Sequence, residues 1–235
     1  HKREKSGDIA ADLGAHYART ARVLPWRKPP HSGIFPDPYR VWLSEIMLQQ
    51  TTVAAVIPYF ERFTARWPGF VELAEADEAE VLAAWAGLGY YARARNLIAC
   101  AKLVHKEFGG KMPDDEAALL RLPGFGAYTA AAIAAFAFGK RAVVVDANVE
   151  RVVSRLRAIA SPLPAAKAEI RAAMDEMTPK EGAGDFAQAM MDLGALICSS
   201  RAPKCAVCPV LAHCNAAKAG EAERYPVKPP KKAKP

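Results

Sequence analysis

Apolar side chains recur three and four positions apart over 41–65, and the spacing returns at 78–86, 92–108, 115–121, 127–138, 148–158, 165–177 and 185–197. That period puts the apolar positions on one face of a helix, so each stretch is predicted helical. Alanine, the best helix former, is abundant in them. Breakers separate the stretches: Pro68-Gly69, Gly87-Leu88-Gly89, Gly109-Gly110, Pro123-Gly124 and Pro162-Leu163-Pro164. The one candidate strand, Ala142 to Val145, has no partner, so it is expected to be buried coil or a lead-in to the next helix. No repeat of fixed period is present. The pattern predicts an all-α protein. From Tyr225 the chain reads YPVKPPKKAKP, without an apolar period, which predicts a linker or a disordered basic end.

With 51% of its 235 residues apolar, the chain can bury a substantial core, which excludes global disorder. No stretch approaches the roughly 20 uninterrupted apolar residues that span a bilayer. The N-terminus, HKREKSGD, lacks the apolar segment of a signal peptide. A cytoplasmic monomer with no membrane partner is therefore expected. Lysine and arginine exceed aspartate and glutamate by 32 to 25, a net charge of +7, which favours a polyanionic partner such as nucleic acid.

Four of the five cysteines fall between residues 198 and 214. Such clustering suggests a metal site in a reducing compartment, not a disulfide framework. Cys198, Cys205, Cys208 and Cys214 form C-x6-C-x2-C-x5-C. Four thiolates can close a tetrahedral zinc site or hold a 4Fe–4S cube. Structural zinc sites usually use two close pairs, and only Cys205 and Cys208 make one, so the uneven spacing favours the cube. Cys100 sits in a helical stretch and is expected to be a small core residue. Arg201 and Lys204 lie inside the first cysteine loop, where a folded loop would present both to phosphate; the alternative is a solvated loop.

Leu122-Pro123-Gly124-Phe125-Gly126 joins two helical stretches. Two glycines around one apolar residue allow a tight turn whose N–H groups, beside a helix N-terminus, suit an anion. Such a site grips backbone phosphate and not a base sequence. Glu45 is predicted among Val41, Trp42, Leu48 and Gln49 on a helix. A carboxyl in that setting is desolvated and should hold its proton at higher pH, which suits a proton donor. A surface glutamate is the plainer reading. Asp146 precedes NVERVVSRL and reads first as an ordinary helix N-cap. Its functional reading is a carboxylate kept ionised beside a helix N-terminus, able to stabilise a cationic transition state. One protonated and one ionised carboxyl are the pair used to break glycosidic bonds.

The full set of motifs resembles the catalytic portion of the MutY-type adenine DNA glycosylases of the helix–hairpin–helix superfamily. The matching segments are LPW (24–26), PYRVWLSEIMLQQT (38–51), GLGYYARARNL (87–97), LPGFGAYTAAAI (122–133), VDANVERV (145–152), FAQAMMDLGALIC (186–198) and the cysteine quartet. Endonuclease III-type relatives share the hairpin, the aspartate and the cluster. Their lyase lysine occupies the position held here by Tyr128, and a phenol cannot form the Schiff base that a lysine amine forms. The resemblance implies base excision repair on double-stranded DNA, at adenine mispaired with 8-oxoguanine or guanine.

Carried onto this sequence, it implies that Glu45 protonates the flipped adenine at N7 and that Asp146 stabilises the oxocarbenium-like sugar, directly or through a transient covalent bond. Tyr128 and Asn148 would assist that carboxylate and the nucleophile. Trp26, Arg27, Leu48 and Asp192 would line the adenine pocket, with Leu88 nearby. Gln49, Gln50, Thr51 and Tyr90 would wedge into the stack, where extruding a base leaves a gap. Leu122, Gly124, Phe125, Gly126, Arg201 and Lys204 would meet phosphate, and the quartet would hold a 4Fe–4S cluster. Trp26, Leu48 and Tyr90 could equally be core residues.

The implied fold has two lobes. A helical barrel over 29–140 carries the hairpin; residues 8–28 with 141–214 form the iron–sulfur lobe; 215–235 is the basic tail. Glu45 and Asp146 would then flank one sugar–purine linkage. WRKPPHSGIFPDP (26–38) is longer than the family pattern, which unsettles the role of Arg27. Family members carry a further domain that reads the oxidised guanine, whereas this sequence stops at the tail, so weakened preference for 8-oxoguanine is expected. A thymine-specific mismatch glycosylase and a non-enzymatic DNA-binding iron–sulfur protein are the alternative readings.

Overall fold

The structure is a computed structural model describing residues 4–229, with side chains from Ile9 onward. Helices account for all regular structure among the described residues: α1 (Glu4–Thr20), α2 (Pro38–Leu48), α3 (Val53–Arg66), α4 (Phe70–Glu75), α5 (Glu78–Trp85), α6 (Tyr91–Phe108), α7 (Glu116–Leu120), α8 (Ala127–Phe138), α9 (Ala147–Arg157), α10 (Lys167–Met177), α11 (Ala183–Leu196) and α12 (Asn215–Lys218). No strand occurs among them; Ala142–Val145 is an irregular segment in which Val143 and Val144 are buried. None of the helices is long and apolar enough to cross a membrane.

Capping residues set most helix starts. Asp37 accepts from the Tyr39 N–H at 3.0 Å and Pro38 opens α2. Asp77, Asp115 and Asp146 cap α5, α7 and α9 in the same manner. The predicted helix over 41–65 is two helices. Gln50 adopts the left-handed conformation at φ 65°, and Thr52 then caps α3 by accepting from the Ala55 N–H. Periodicity missed this break because apolar spacing resumes in phase beyond it. Three helices lie outside the predicted stretches: α4 and α12 are too short to show a period, and α1 carries only a narrow stripe, Ile9, Leu13 and Tyr17.

The chain divides into two compact units. The hairpin unit comprises Val23–Lys28 and Ser32–Gly139. Its core is aromatic: Trp42 meets Phe70 at 4.8 Å between ring centroids, Phe63 meets Trp67 at 5.0 Å, and Phe63 meets Trp85 at 6.0 Å. α8 is buried along most of its length and packs on α2. The second unit, the cysteine unit, comprises the chain up to Arg22, Pro29–His31 and Lys140 onward. α1, α10 and α12 pack around the α9–α11 pair here, over a core of Leu13, Val149, Val153, Ile170, Met174 and Met190.

The boundaries differ from those expected in three places. Residues 23–28 belong to the hairpin unit, because the buried Trp26 ring packs edge-on against Phe60 at 5.1 Å. Residues 29–31 belong to the cysteine unit, where the His31 N–H donates to Asp185 at 3.0 Å. Residues 215–229 are not a free linker. α12 and the buried Ala216 and Tyr225 join the core, and the Leu163 N–H donates to the Val227 carbonyl at 3.0 Å. Residues 230–235, the rest of the expected basic tail, lie outside the described residues.

The packed end has a measurable consequence. Tyr225→Ala removes a buried ring and should lower the unfolding free energy by about 2–4 kcal/mol in urea titration. A change within about 0.5 kcal/mol would mean that this segment is solvated, since surface substitutions have effects of that size.

Candidate active site

In the hairpin unit, α2 carries Glu45 at a buried position, 7% exposed, with Trp42 and Met47 also buried along the same helix. α8 brings Tyr128 to it, and the Tyr128 hydroxyl donates to Glu45 Oε2 at 2.8 Å. Tyr128 was expected beside Asp146; its described hydrogen bond is with the other carboxyl. A phenol that donates to one carboxyl oxygen restricts the rotamer of the acid.

The segment after α2 gathers the expected wedge. Leu48, Gln49 and Thr51 are half-buried, and Gln50 is exposed at φ 65°. Tyr90 is likewise left-handed, at φ 48°, and its ring is 65% exposed, whereas Leu88 is buried. Non-glycine residues occupy this conformation at a cost of about 1–3 kcal/mol and persist in it only where the surroundings hold them. Trp26 is a core residue, and Arg27 is half-buried with its N–H donating to the Leu24 carbonyl at 2.9 Å.

Sequence reading passed over Arg93. It lies on the buried face of α6 with Leu97, Cys100 and Val104, and is 9% exposed. Its guanidinium donates to the carbonyls of Ile46 at 3.0 Å, Met47 at 3.1 Å, Gln49, Leu88 at 3.0 Å and Gly89 at 3.4 Å. Burial holds its pKa below the ordinary arginine value. The available signal was an arginine four and seven positions before apolar residues on one helical face.

The hairpin forms as expected between α7 and α8. Leu122 is buried and its carbonyl accepts from the Phe125 N–H at 3.1 Å. Gly124 needs its φ of 80°, and Asn96 of α6 lies close enough that a Cβ there would meet it at 3.1 Å. Gly124 and Gly126 are exposed, so their amides at the start of α8 are open to an anion.

In the cysteine unit, Asp146 caps α9. Its Oδ1 accepts from the Val149 N–H at 2.7 Å and its Oδ2 from Asn148 Nδ2 at 3.2 Å. Arg151 then ties Asn148 to the end of α11, donating to Asn148 Oδ1 at 2.9 Å and to the Gly194 carbonyl at 2.7 Å. Gly194, also missed in the sequence, is where α11 and α9 approach most tightly; a Cβ there would stand 2.7 Å from Asn148 Cβ and 3.1 Å from its carbonyl oxygen. Asp192 is buried and gripped by Arg22, whose backbone N–H donates at 3.1 Å and whose Nε donates at 2.7 Å.

Cys198, Cys205, Cys208 and Cys214 all line one small hollow, with Val152, Leu156 and Leu193 on its wall. Burial above all, and then the three neighbouring sulfurs, push the Cys208 thiol up to about 11, against the pull of the Val210 N–H. A buried thiol needs a compensating cation to act as a thiolate. No group of three or more His, Cys, Asp or Glu among the described residues is placed to hold a metal ion as it stands. Sulfurs spread around one shared hollow suit a multi-atom group better than a single ion. Arg155, 2% exposed, donates to Cys198 Sγ at 3.3 Å and to the Ser199 carbonyl at 2.6 Å. Arg201 and Lys204 are exposed on this loop. Cys100 is a closed core thiol, raised to about 12 by burial.

The description "HhH-GPD superfamily base excision DNA repair protein" matches residues 43–180. An adenine DNA glycosylase of Homo sapiens is 42% identical over 213 residues, covering 88% of this chain and 39% of that protein. An adenine DNA glycosylase of Mycolicibacterium smegmatis is 41% identical over 209 residues, covering 89% of this chain and 69% of that one. The chain thus spans well under half of the human relative and about two thirds of the mycobacterial one. Among solved structures, a thermostable thymine-DNA glycosylase superposes with a TM-score of 0.81 at 30% identity, covering 93% of this chain and 99% of that one.

The contact at Gly194 sets two effects against each other. Gly194→Ala gains about 1 kcal/mol of helix propensity but forces a methyl group against the backbone of Asn148, and overpacking of this kind costs about 1–3 kcal/mol. The steric cost should win, giving a net loss in urea titration. A more stable Gly194→Ala protein would show that α9 and α11 part without cost.

Proposed function

Since the chain belongs to the HhH-GPD superfamily of base excision DNA repair proteins, with adenine DNA glycosylases among its relatives, we propose that it is a monofunctional DNA glycosylase that releases adenine from mispaired duplex DNA. The observation that carries the reading is the buried Glu45 carboxyl with the Tyr128 hydroxyl bonded to it. In this reading Glu45 is the general acid that delivers a proton to adenine N7. Protonation draws electrons out of the C1′–N9 bond. The bond breaks, the base leaves neutral, and the sugar becomes an oxocarbenium ion. Asp146, its carboxylate oriented by the Val149 N–H and Asn148, stabilises that cation until water adds at C1′ and gives up a proton.

Tyr128 stands where a lyase would need an amine, so the reading includes hydrolysis without strand cleavage. The amides of Gly124 and Gly126 and the side chains of Arg201 and Lys204 are the proposed phosphate contacts. The cysteine quartet is the proposed holder of a 4Fe–4S cluster, which supplies a fixed fold to the loop bearing those two cations. One observation favours a second reading. The thymine-DNA glycosylase noted above matches over 99% of its length, so a thymine mismatch is the competing substrate.

Single-turnover assays with adenine opposite 8-oxoguanine, guanine and cytosine, and with thymine opposite guanine, separate these readings. Adenine release with no thymine release is expected. Glu45→Gln should slow adenine release by about a hundredfold or more, the usual scale of general-acid catalysis. Retention of most activity removes Glu45 from the role of proton donor, and a borohydride-stable protein–DNA crosslink overturns the hydrolytic assignment of Tyr128.

A further inference from the structure

We infer that Arg93 is a positioning residue that locks the two base-displacing segments, Gln49–Thr51 and Leu88–Tyr90, into one rigid body. The inference rests on the reading of these segments as the wedge of a DNA glycosylase. Its own basis is the set of carbonyls that one buried guanidinium reaches.

Ile46 and Met47 lie in the last turn of α2, where carbonyls lack intrahelical partners and the helix presents its negative end. Arg93 donates to both, and also to Gln49, Leu88 and Gly89. Two of these positions carry the inference. Gln49 immediately precedes Gln50, and Gly89 immediately precedes Tyr90, the two non-glycine residues of the segments held at positive φ. Arg93 therefore grips the peptide unit that enters each strained residue. Its Nη1 serves the α2 end and its Nη2 serves the 88–89 turn, so a single plane spans both. The same guanidinium lies 5.5 Å from the centroid of the Tyr90 ring and 5.4 Å from that of Trp85. The exposed Tyr90 ring thus has the buried cation beneath it and Trp85 beyond.

A wedge must resist being pushed back by the base stack it enters, and opening a stack costs a few kcal/mol. Two separate loops with strained tips would relax under that load. Joined by one cation, they yield only together. A lysine cannot substitute, because its point charge cannot reach both sets of carbonyls as a planar fork does.

The test compares Arg93→Lys and Arg93→Met with the unsubstituted chain by amide hydrogen exchange of the free protein. Exchange over 49–51 and over 88–91 should accelerate together, by about tenfold or more as local opening becomes easier, with α3 and α8 nearly unchanged. Acceleration in one segment alone, no acceleration, or loss of the whole fold in Arg93→Lys would each overturn the inference. A second measurement uses duplexes with adenine opposite guanine and with adenine opposite an abasic site. Release from the paired substrate should fall about tenfold further than release from the already loosened one, because only the former needs full displacement. Equal losses on both would overturn the link to base displacement. Absence of adenine release by the unsubstituted chain would overturn the glycosylase reading instead, and the coupled exchange would still decide the locking role.

Discussion

A carbonyl left bare where a helix stops must find a donor, and burial makes the requirement severe, because an unpaired polar group out of water costs several kcal/mol. In both units the donor is a buried arginine. Arg93 closes the end of α2 and the turn before α6. Arg155 closes the segment that follows α11, donating to the Ser199, Ser200 and Tyr225 carbonyls. Several candidate functional residues, Gln50, Tyr90 and Asp146 among them, sit where helices begin or end. A guanidinium has five donors in a rigid plane, so one side chain can satisfy a broken helix and its neighbour together. Those cations pair carbonyls beside the breaks that carry Gln50, Tyr90 and Cys198.

The two carboxyls are prepared in opposite ways. Glu45 is set in the body of a helix whose neighbours are buried, and its described bond is from a phenol. Asp146 is set at the mouth of a helix, where a backbone N–H and an amide side chain point at its oxygens. Glu45 is thus fixed by the body of a helix and Asp146 by the start of one.

Sequence reading did well where a residue's neighbours along the chain decide its state. The helical stretches, the hairpin at 122–126, the cap at Asp146 and the closed thiol of Cys100 all follow from local spacing and composition. It did less well where distant residues decide. Gln50 breaks a stretch that looked continuous, because Thr52 caps a new helix and Arg93 supports the break. Residues 215–229 looked like linker, yet Tyr225 and Ala216 find a core formed by helices far earlier in the chain. Arg93 was passed over although a partner 44 positions away takes it up, and Asp192, expected to line the adenine pocket, is held by a partner 170 positions away.

By itself, then, the order of residues determined the all-helical class, the position of each candidate carboxyl and the cysteine spacing. Each of these depends on contacts within a few turns of one helix or one loop. Tertiary structure alone decided that Tyr128 bonds to Glu45, that one arginine joins two left-handed turns, and that Gly194 must stay small. Those outcomes depend on which helices meet face to face. Periodicity names the face a helix will bury, but the identity of the atoms across the contact is set only when the partner arrives.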